Sequence, residues 1–516
     1  MLTRKAPAAI SPHTRSFLHI LVRLWPLVLL LATCLVLFLN LPYAPRTWFD
    51  EGSHLHVPKT LVQHGVYADI SSEGFRYYGP TVGVGPTVML PIALMFNLFD
   101  VGITQGRLVI VLYALVALAS LYALGQKLHG HVAGLLVLTL LFASRTFNYE
   151  GFIEYSRQVL GETPGLAFLS LGLLAWVAAL HAGKNLVTRR SWLLSVLAGL
   201  GFGLALVTKN QFVLIIPVAL VAVGVLDWLY YRVGTWQLRI VPVLIACGCF
   251  GLWVLAQFQF LGPGSFLENM QQTRQAAGGA IFVFDMGATL RAGKYLLQPD
   301  LYGGLLIPAL LYAAWRARRR DAQGLSEALL VIIIGLWLTW FVGASLGWPR
   351  YAFPAVALGA LLIARALIDL LTWLRNGTTV QRALAVLGTG YAALFMLVPF
   401  ALSTNAIVHP DDTAHRFAAY LDDHVPQDTV VETWEPELGV LTDHRYHYPP
   451  IELLDTAVRH QWLGGPPLVY DGLQDAPVYV VVGSFGGYTG IYDTVILEQK
   501  YMEEHSIGSY VLFRRR

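Results

Sequence analysis

Two adjacent acids, Asp50 and Glu51, stand beside two histidines, His54 and His56, in PRTWFDEGSHLH (45–56), just past the apolar run WPLVLLLATCLVLFLN that ends at Asn40. A carboxylate within ~3 Å of a hydroxyl can take its proton as that oxygen attacks carbon. Neighbouring residues on a turn or helix point in different directions, so one acid is the candidate base and the other orients a partner. The plainer alternative is a helix start, where acids complement the macrodipole. A third acid, Glu162, lies in SRQVLGETPGLAFLSL, two residues before Pro164, a residue typical of a first helical turn. Its short loop also holds Glu150, Glu154 and Arg157, more charge than a helix cap requires.

Cations accompany these acids. Arg76 lies in the same segment as Asp50, Arg107 in GITQGRLVI, Lys209 in LALVTKNQF and Arg350, followed by Tyr351, in GWPRYAFP. Each could simply snorkel to a headgroup. Together, carboxylates facing cations form a constellation that activates a hydroxyl while holding a phosphate, with arginine suited to bidentate contact and lysine acting as a point charge. His54 and His56 find no further ligand at a convincing spacing, so no metal is expected. P-loop, GxSxG, CxxC and Gly-rich phosphate-loop patterns are absent from the sequence.

Elements able to bring such distant residues together are spans. The 516 residues are 56% hydrophobic and 13% charged, with mean hydropathy +0.56. Soluble domains carry about 25% charged residues, so the composition gives a polytopic α-helical membrane protein. A formal charge of +3 argues for no nucleic-acid partner. Cys34, Cys247 and Cys249 all sit in apolar runs and form no disulfide framework. The first apolar run follows Arg4, Lys5, Arg15 and Arg23, is too long for a signal peptide, and reads as an uncleaved anchor.

Apolar segments of spanning length fall near 18–40, 107–126, 131–149, 163–181, 192–208, 211–230, 240–261, 301–315, 327–346, 351–374 and 382–402. A twelfth stretch, 80–99, is broken by prolines and glycines, and its helical core over 87–99 falls short of the ~20 residues a crossing needs. If it does not cross, the loops QKLHGH, HAGKNLVTRR, YYRVGTWQLR, RARRRD and RNGTTVQR all share the side of the N-terminus, as the positive-inside rule requires of the cytoplasm. The expectation is therefore about 11 spans, with 80–99 along the outer surface. A membrane domain over 1–402, including a first outer loop at 41–106, then precedes an extracytoplasmic module over 403–516. In that tail DDTAHRFAAYLDDH suggests a helix, and TVVETW, VYVVVGSF and SYVLF suggest strands, hence a small α/β domain. ETWEPEL and DHRYHYPP suit a sugar-binding rim or, more plainly, a packing edge.

WFDEG, YYGPTVGVGPTVMLPIALMFNLFDVG, GRLVIVLYALVALASLYALGQKLHG, SRQVLGETPGLAFL, VTKNQF and WPRYAFPAVALGALL together resemble the GT-C superfamily of membrane glycosyltransferases. The nearest branch is the protein O-mannosyltransferase and lipid A aminoarabinose transferase group. The resemblance implies an inverting transfer of a sugar from a polyprenyl-phosphate carrier to a hydroxyl or amine of a protein, glycolipid or glycan at the outer face of the plasma membrane, without a cofactor. It aligns Asp50 with the first-loop catalytic carboxylate, Glu51 with its neighbour and Glu162 with the second-loop acid, commonly Asp in the family. Arg107, Lys209 and Arg350 fall at basic positions near the carrier phosphate, with Arg157 and Tyr351 beside them. Where the aminoarabinose transferases carry Lys-Pro, this chain has GPTVGVGP, and Arg76 is the substitute cation. Rival classes are a transporter or flippase of lipid-linked sugars and a non-catalytic accessory subunit.

Overall fold

A computed structural model describes residues 12–77, 83–183, 188–276, 281–375 and 377–516. Arg4, Lys5 and the opening of the 80–99 segment up to residue 82 lie outside the described residues, as does part of the loop 181–190. Helices occupy all eleven expected positions: Pro12–Phe38, Ile103–His129, His131–Phe142, Glu162–Gly183, Arg189–Thr208, Asn210–Leu226, Trp236–Ala276, Leu306–Arg316, Ala322–Ala344, Pro349–Arg375 and Thr379–Val408. Among the described residues, eight helices are long and apolar enough to cross a membrane by length and composition.

Two of the expected spans are short. The helix expected over 131–149 stops at Phe142, where the chain turns polar and the Ser144 hydroxyl bonds the Leu141 carbonyl at 2.8 Å. The one expected over 301–315 begins only at Leu306, because Gly303 and Gly304 adopt φ of 64° and 70°. Gly262, with φ 74°, bends Trp236–Ala276 where the span over 240–261 was expected to end.

The helix core is close-packed through small residues. A Cβ on Gly201 would lie 2.7 Å from the Gly172 nitrogen, so Arg189–Thr208 and Glu162–Gly183 approach backbone to backbone. Ser120 and Ser170 share a hydrogen bond of 2.5 Å between Ile103–His129 and Glu162–Gly183.

The 80–99 segment forms a helix over Pro86–Phe99 that buries Val88, Met89, Ile92, Ala93 and Phe96 and exposes Leu90, Leu94, Leu98 and Phe99. Its entrance is pinned: Val84 bridges to Lys209, and the Gly85 N–H donates to the Thr208 carbonyl at 2.9 Å. Ahead of it the first loop forms a helix over Phe49–His64 and a hairpin of β1 (Asp69–Ser71) and β2 (Gly74–Arg76).

Beyond Val408 comes a helix over Thr413–His424 and a five-stranded sheet of β3 (Val430–Thr433), β4 (Arg445–His447), β5 (Tyr479–Val482), β6 (Tyr501–Ile507) and β7 (Tyr510–Arg515). The order is β4-β3-β5-β7-β6; β4, β3 and β5 are parallel, and β7 runs antiparallel to both of its neighbours, β5 and β6. This sheet domain clamps the first loop. Gly52 packs on the 436–437 backbone, where a Cβ would fall 2.2 Å from the Glu437 nitrogen. His56 Nε2 lies 2.7 Å from the Pro436 carbonyl, and Lys59 Nζ donates to the Gly439 and Thr442 carbonyls and to Asp443.

Candidate active site

Asp50 and Glu51 occupy the first turn of Phe49–His64 and point apart, as adjacent helical residues must. Glu51 turns inward. Arg107 Nε and Nη2 donate to its two oxygens at 2.8 and 2.6 Å, and both side chains are wholly buried. The Val159 N–H also donates to Glu51 Oε1, at 3.0 Å. Arg107 spends its remaining donors on the Leu41 and Pro45 carbonyls, each at 2.8 Å. The pair therefore staples the first loop to the start of Ile103–His129 and to the 150–162 loop.

Asp50 turns the other way and forms an ion pair with Arg350, from the first turn of Pro349–Arg375. The guanidinium is flanked by three rings, with Trp348, Trp48 and Tyr351 centroids 4.8, 5.5 and 5.8 Å away. Tyr351 is anchored through its backbone, whose carbonyl accepts from Trp337 Nε1 at 2.7 Å. Glu162 pairs with Lys209, and among the described residues its Oε2 accepts no hydrogen bond. Burial would push the Asp50 carboxyl up, but Arg350, His54 and Lys209 outweigh it and hold the group below its usual range. His54 is pushed down by burial, despite Asp50 and Glu162 close by. Its Nδ1 sits 2.7 Å from the Val159 carbonyl, so that nitrogen carries the proton.

The structure thus parts the expected residues into two sets. Asp50, Glu162, Lys209, Arg350 and Tyr351 converge from four segments on one locus, which His54 joins. Three cations expected near a phosphate are engaged elsewhere. Arg107 is bound to Glu51. Arg157, wholly buried, donates to the Val36, Leu39 and Ala44 carbonyls at 2.5, 2.6 and 2.9 Å, capping the C-terminus of the first helix. Arg76 pairs with Asp69 at 2.7 Å and reaches the Tyr448 and Pro449 carbonyls, fastening the hairpin to the tail. Glu154, beside them, is likewise spent on Arg145, Ser403 and the Gly151 N–H.

Sequence reasoning passed over His54 except as a metal candidate, and it did not single out Trp48. The signal was present in both, since His54 stands four residues after Asp50 on the same helix face and Trp48 immediately precedes that helix. Glu150, the remaining acid of the 150–162 loop, accepts from Gln158 at 3.0 and 3.2 Å. Burial and the nearby Glu154 push its carboxyl up to about 7.

Residues 83–257 match the family model described as dolichyl-phosphate-mannose-protein mannosyltransferase. No curated protein matches the chain. Among solved structures, the chain is similar to ArnT from Cupriavidus metallidurans in its apo state, at TM-score 0.61 and 14% identity, covering 95% of this chain and 97% of that one. The same protein bound to undecaprenyl phosphate aligns at TM-score 0.61 and 16% identity. The oligosaccharyltransferase of Archaeoglobus fulgidus tethered to an acceptor peptide aligns at TM-score 0.57 and 13% identity, over 96% of this chain and 74% of that one. Over nearly its whole length the chain has the fold of ArnT and of the archaeal oligosaccharyltransferase, and its residues 83–257 match the dolichyl-phosphate-mannose-protein mannosyltransferase model.

Proposed function

We propose that the chain is an inverting glycosyltransferase that moves a sugar from a polyprenyl-phosphate carrier to an acceptor at the outer face of the plasma membrane. The observation that carries this reading is the Asp50–Arg350 pair, a carboxylate and a guanidinium of the kind that suits phosphate, joined beside Glu162–Lys209. Crystals of a protein with this fold hold undecaprenyl phosphate, which supports a lipid-phosphate donor.

Arg350 is shared between two anions. A carrier phosphate that takes Arg350 removes the main cause that holds Asp50 low, and burial then raises its basicity. Asp50 accepts the acceptor proton as the acceptor oxygen bonds to the anomeric carbon. The bond from that carbon to the phosphate oxygen breaks on the opposite face, and polyprenyl phosphate leaves with the electron pair, held by Arg350 and Lys209. Preorganised donors of this kind are worth about 3 kcal/mol each. Glu162 holds Lys209 in place, and the Pro86–Phe99 helix and the tail shield the site from water. In this reading no cofactor is invoked, the N-terminus is cytoplasmic, and the membrane domain over 1–402 hands on to an extracytoplasmic module over 403–516.

The test is Asp50→Asn assayed for transfer of labelled sugar from a polyprenyl-phosphate donor. Loss of transfer with donor binding retained is expected. Unchanged turnover removes Asp50 as base, and sugar translocation without transfer favours the transporter class instead.

A further inference from the structure

The three rings around Arg350 are not equivalent. Trp348 and Tyr351 belong to its own turn and are held by packing, Trp348 edge-on to Trp462 at 5.6 Å and Tyr351 stacked on Trp340 at 5.7 Å between centroids. Trp48 comes instead from the segment of Asp50, two residues ahead of it, and its centroid lies 5.5 Å from the guanidinium carbon. A guanidinium within about 6 Å of an indole centroid is attracted by the negative face of the ring. Which way that face points depends on where the indole N–H finds its acceptor.

The acceptor is Gln158. Trp48 Nε1 donates to Gln158 Oε1 at 3.1 Å, and Gln158 Nε2 donates to the two Glu150 oxygens at 3.2 and 3.0 Å. These neighbours set the amide this way round, since flipping it would put its oxygen against a carboxyl and its NH2 against the indole N–H. Gln158 is 1% exposed. The next residue fixes its backbone: the Val159 N–H donates to Glu51, and the Val159 carbonyl lies 2.7 Å from His54 Nδ1. Glu150, Gln158, Trp48 and Arg350 thus form one chain of contacts that ends at Asp50. Neither Gln158 nor Trp48 takes part in the bond-making steps of the proposed transfer.

We propose that Gln158 and Trp48 are positioning residues for the carrier phosphate: Gln158 turns the indole face toward Arg350, and that face keeps the guanidinium at the locus while it exchanges Asp50 for the phosphate. The attraction to Asp50 is given up in that exchange. The attraction to the ring is not, because it does not depend on which anion the guanidinium holds. Gln158 therefore acts on the phosphate through the Trp48 ring and then through Arg350. Packing alone would hold a ring of any electronic character, so the electrostatics of the indole separate this role from a purely structural contact. The proposal rests on the reading of Arg350 as the cation that binds the phosphate.

The experiment uses the full chain in nanodiscs with undecaprenyl phosphate as the probe, so that binding is read without transfer. Trp48 is replaced by tryptophans carrying increasing numbers of ring fluorines, which drain the indole face at nearly constant volume. Log Kd is expected to rise in step with fluorine number, about fivefold over the series, the size of a partly desolvated cation–π contact. Gln158→Met is expected to weaken binding about fivefold, and to add nothing in a Trp48→Phe background, where the indole N–H is already gone. Thermal unfolding checks that each protein is folded. A flat fluorine series, or a Gln158→Met effect that is the same with and without the indole N–H, overturns the proposal. Arg350→Met separates the two failures. If it binds undecaprenyl phosphate as wild type does, the phosphate reading falls and takes this role with it; if it binds weakly while the fluorine series is flat, the positioning role falls alone.

Discussion

Glu51 and Arg107 invite the sharpest test, because sequence alone assigns them to chemistry and the structure assigns them to architecture. Consider Glu51→Ala. It strands a wholly buried guanidinium that had donated twice to the lost carboxylate, and it leaves the Val159 N–H without its acceptor. Breaking a buried pair on one side costs about 3–5 kcal/mol, because the remaining charge is uncompensated. Arg107 keeps the Leu41 and Pro45 carbonyls as partners, which places the expected loss nearer the lower end, about 3 kcal/mol. Removing both charges in Glu51→Leu/Arg107→Met eliminates the stranded cation and should recover about half of the loss. The assay is SDS-driven unfolding in mixed micelles, followed by transfer activity normalised to folded protein. Low stability in the single variant, partial recovery in the double, and activity that tracks the folded fraction are expected. A Glu51→Ala protein as stable as wild type but devoid of transfer would refute the reasoning, since Glu51 would then act on the reaction itself.

Replacing Arg350 by Met leaves Asp50 to burial, so its carboxyl should rise. The acid limb of the pH–rate profile should move to higher pH while kcat falls about 100-fold, and an unmoved limb would contradict the pairing. Gly85→Ala places a Cβ 1.8 Å from the Val207 carbonyl oxygen, so the Pro86–Phe99 helix should detach from Lys209; faster proteolysis near residue 83 and weaker donor binding report it. Glu437 has a folded value raised from 4.5 to about 7, so its contribution is fully present below pH ~4.5 and is lost as pH rises to about 7. Glu437→Gln does not titrate. The stability of that variant relative to wild type should therefore climb between pH 5 and 7 by about 2 kcal/mol, and a flat difference would show that folding does not raise the carboxyl.

The membrane architecture could be read from the chain because apolar runs of spanning length have few other fates, and helices indeed occupy every expected position. The convergence of Asp50, Glu162, Lys209 and Arg350 was legible for a related reason: ionisable groups at a membrane mouth must find partners, and four segments offered opposite charges on one side. What could not be read was the division of labour among arginines. Arg157 in a cage of helix-end carbonyls and Arg350 beside Asp50 present the same residue type, each next to a predicted span, and only the fold tells them apart. In the tail, the three strands rich in valine, tyrosine and phenylalanine were visible, while β4 and β6 were not. Both are edge strands in the order β4-β3-β5-β7-β6, and RYH and YMEEHSI lack the apolar alternation of a half-buried strand.

The first-loop helix shows what the C-terminal sheet domain does in this architecture. Phe49–His64 is more than half buried, yet charged, polar and glycine residues fill much of FDEGSHLHVPKTLVQH, so its own apolar face does not decide where it docks. Its position is imposed from two sides. Glu51 ties it to Arg107 and the Val159 backbone, and Gly52, His56 and Lys59 tie it to residues 436–443 of the tail. Asp50 projects from between these fastenings, so its distance from Arg350 depends on both the membrane core and the sheet domain. Residues 434–437 lie at the end of β3, whose place is fixed by β4 on one side and β5 on the other. The 434–437 segment of the tail and the seat of the candidate base are consequently packed together, so a substitution that loosens the tail from Gly52, His56 and Lys59 should also move Asp50 relative to Arg350.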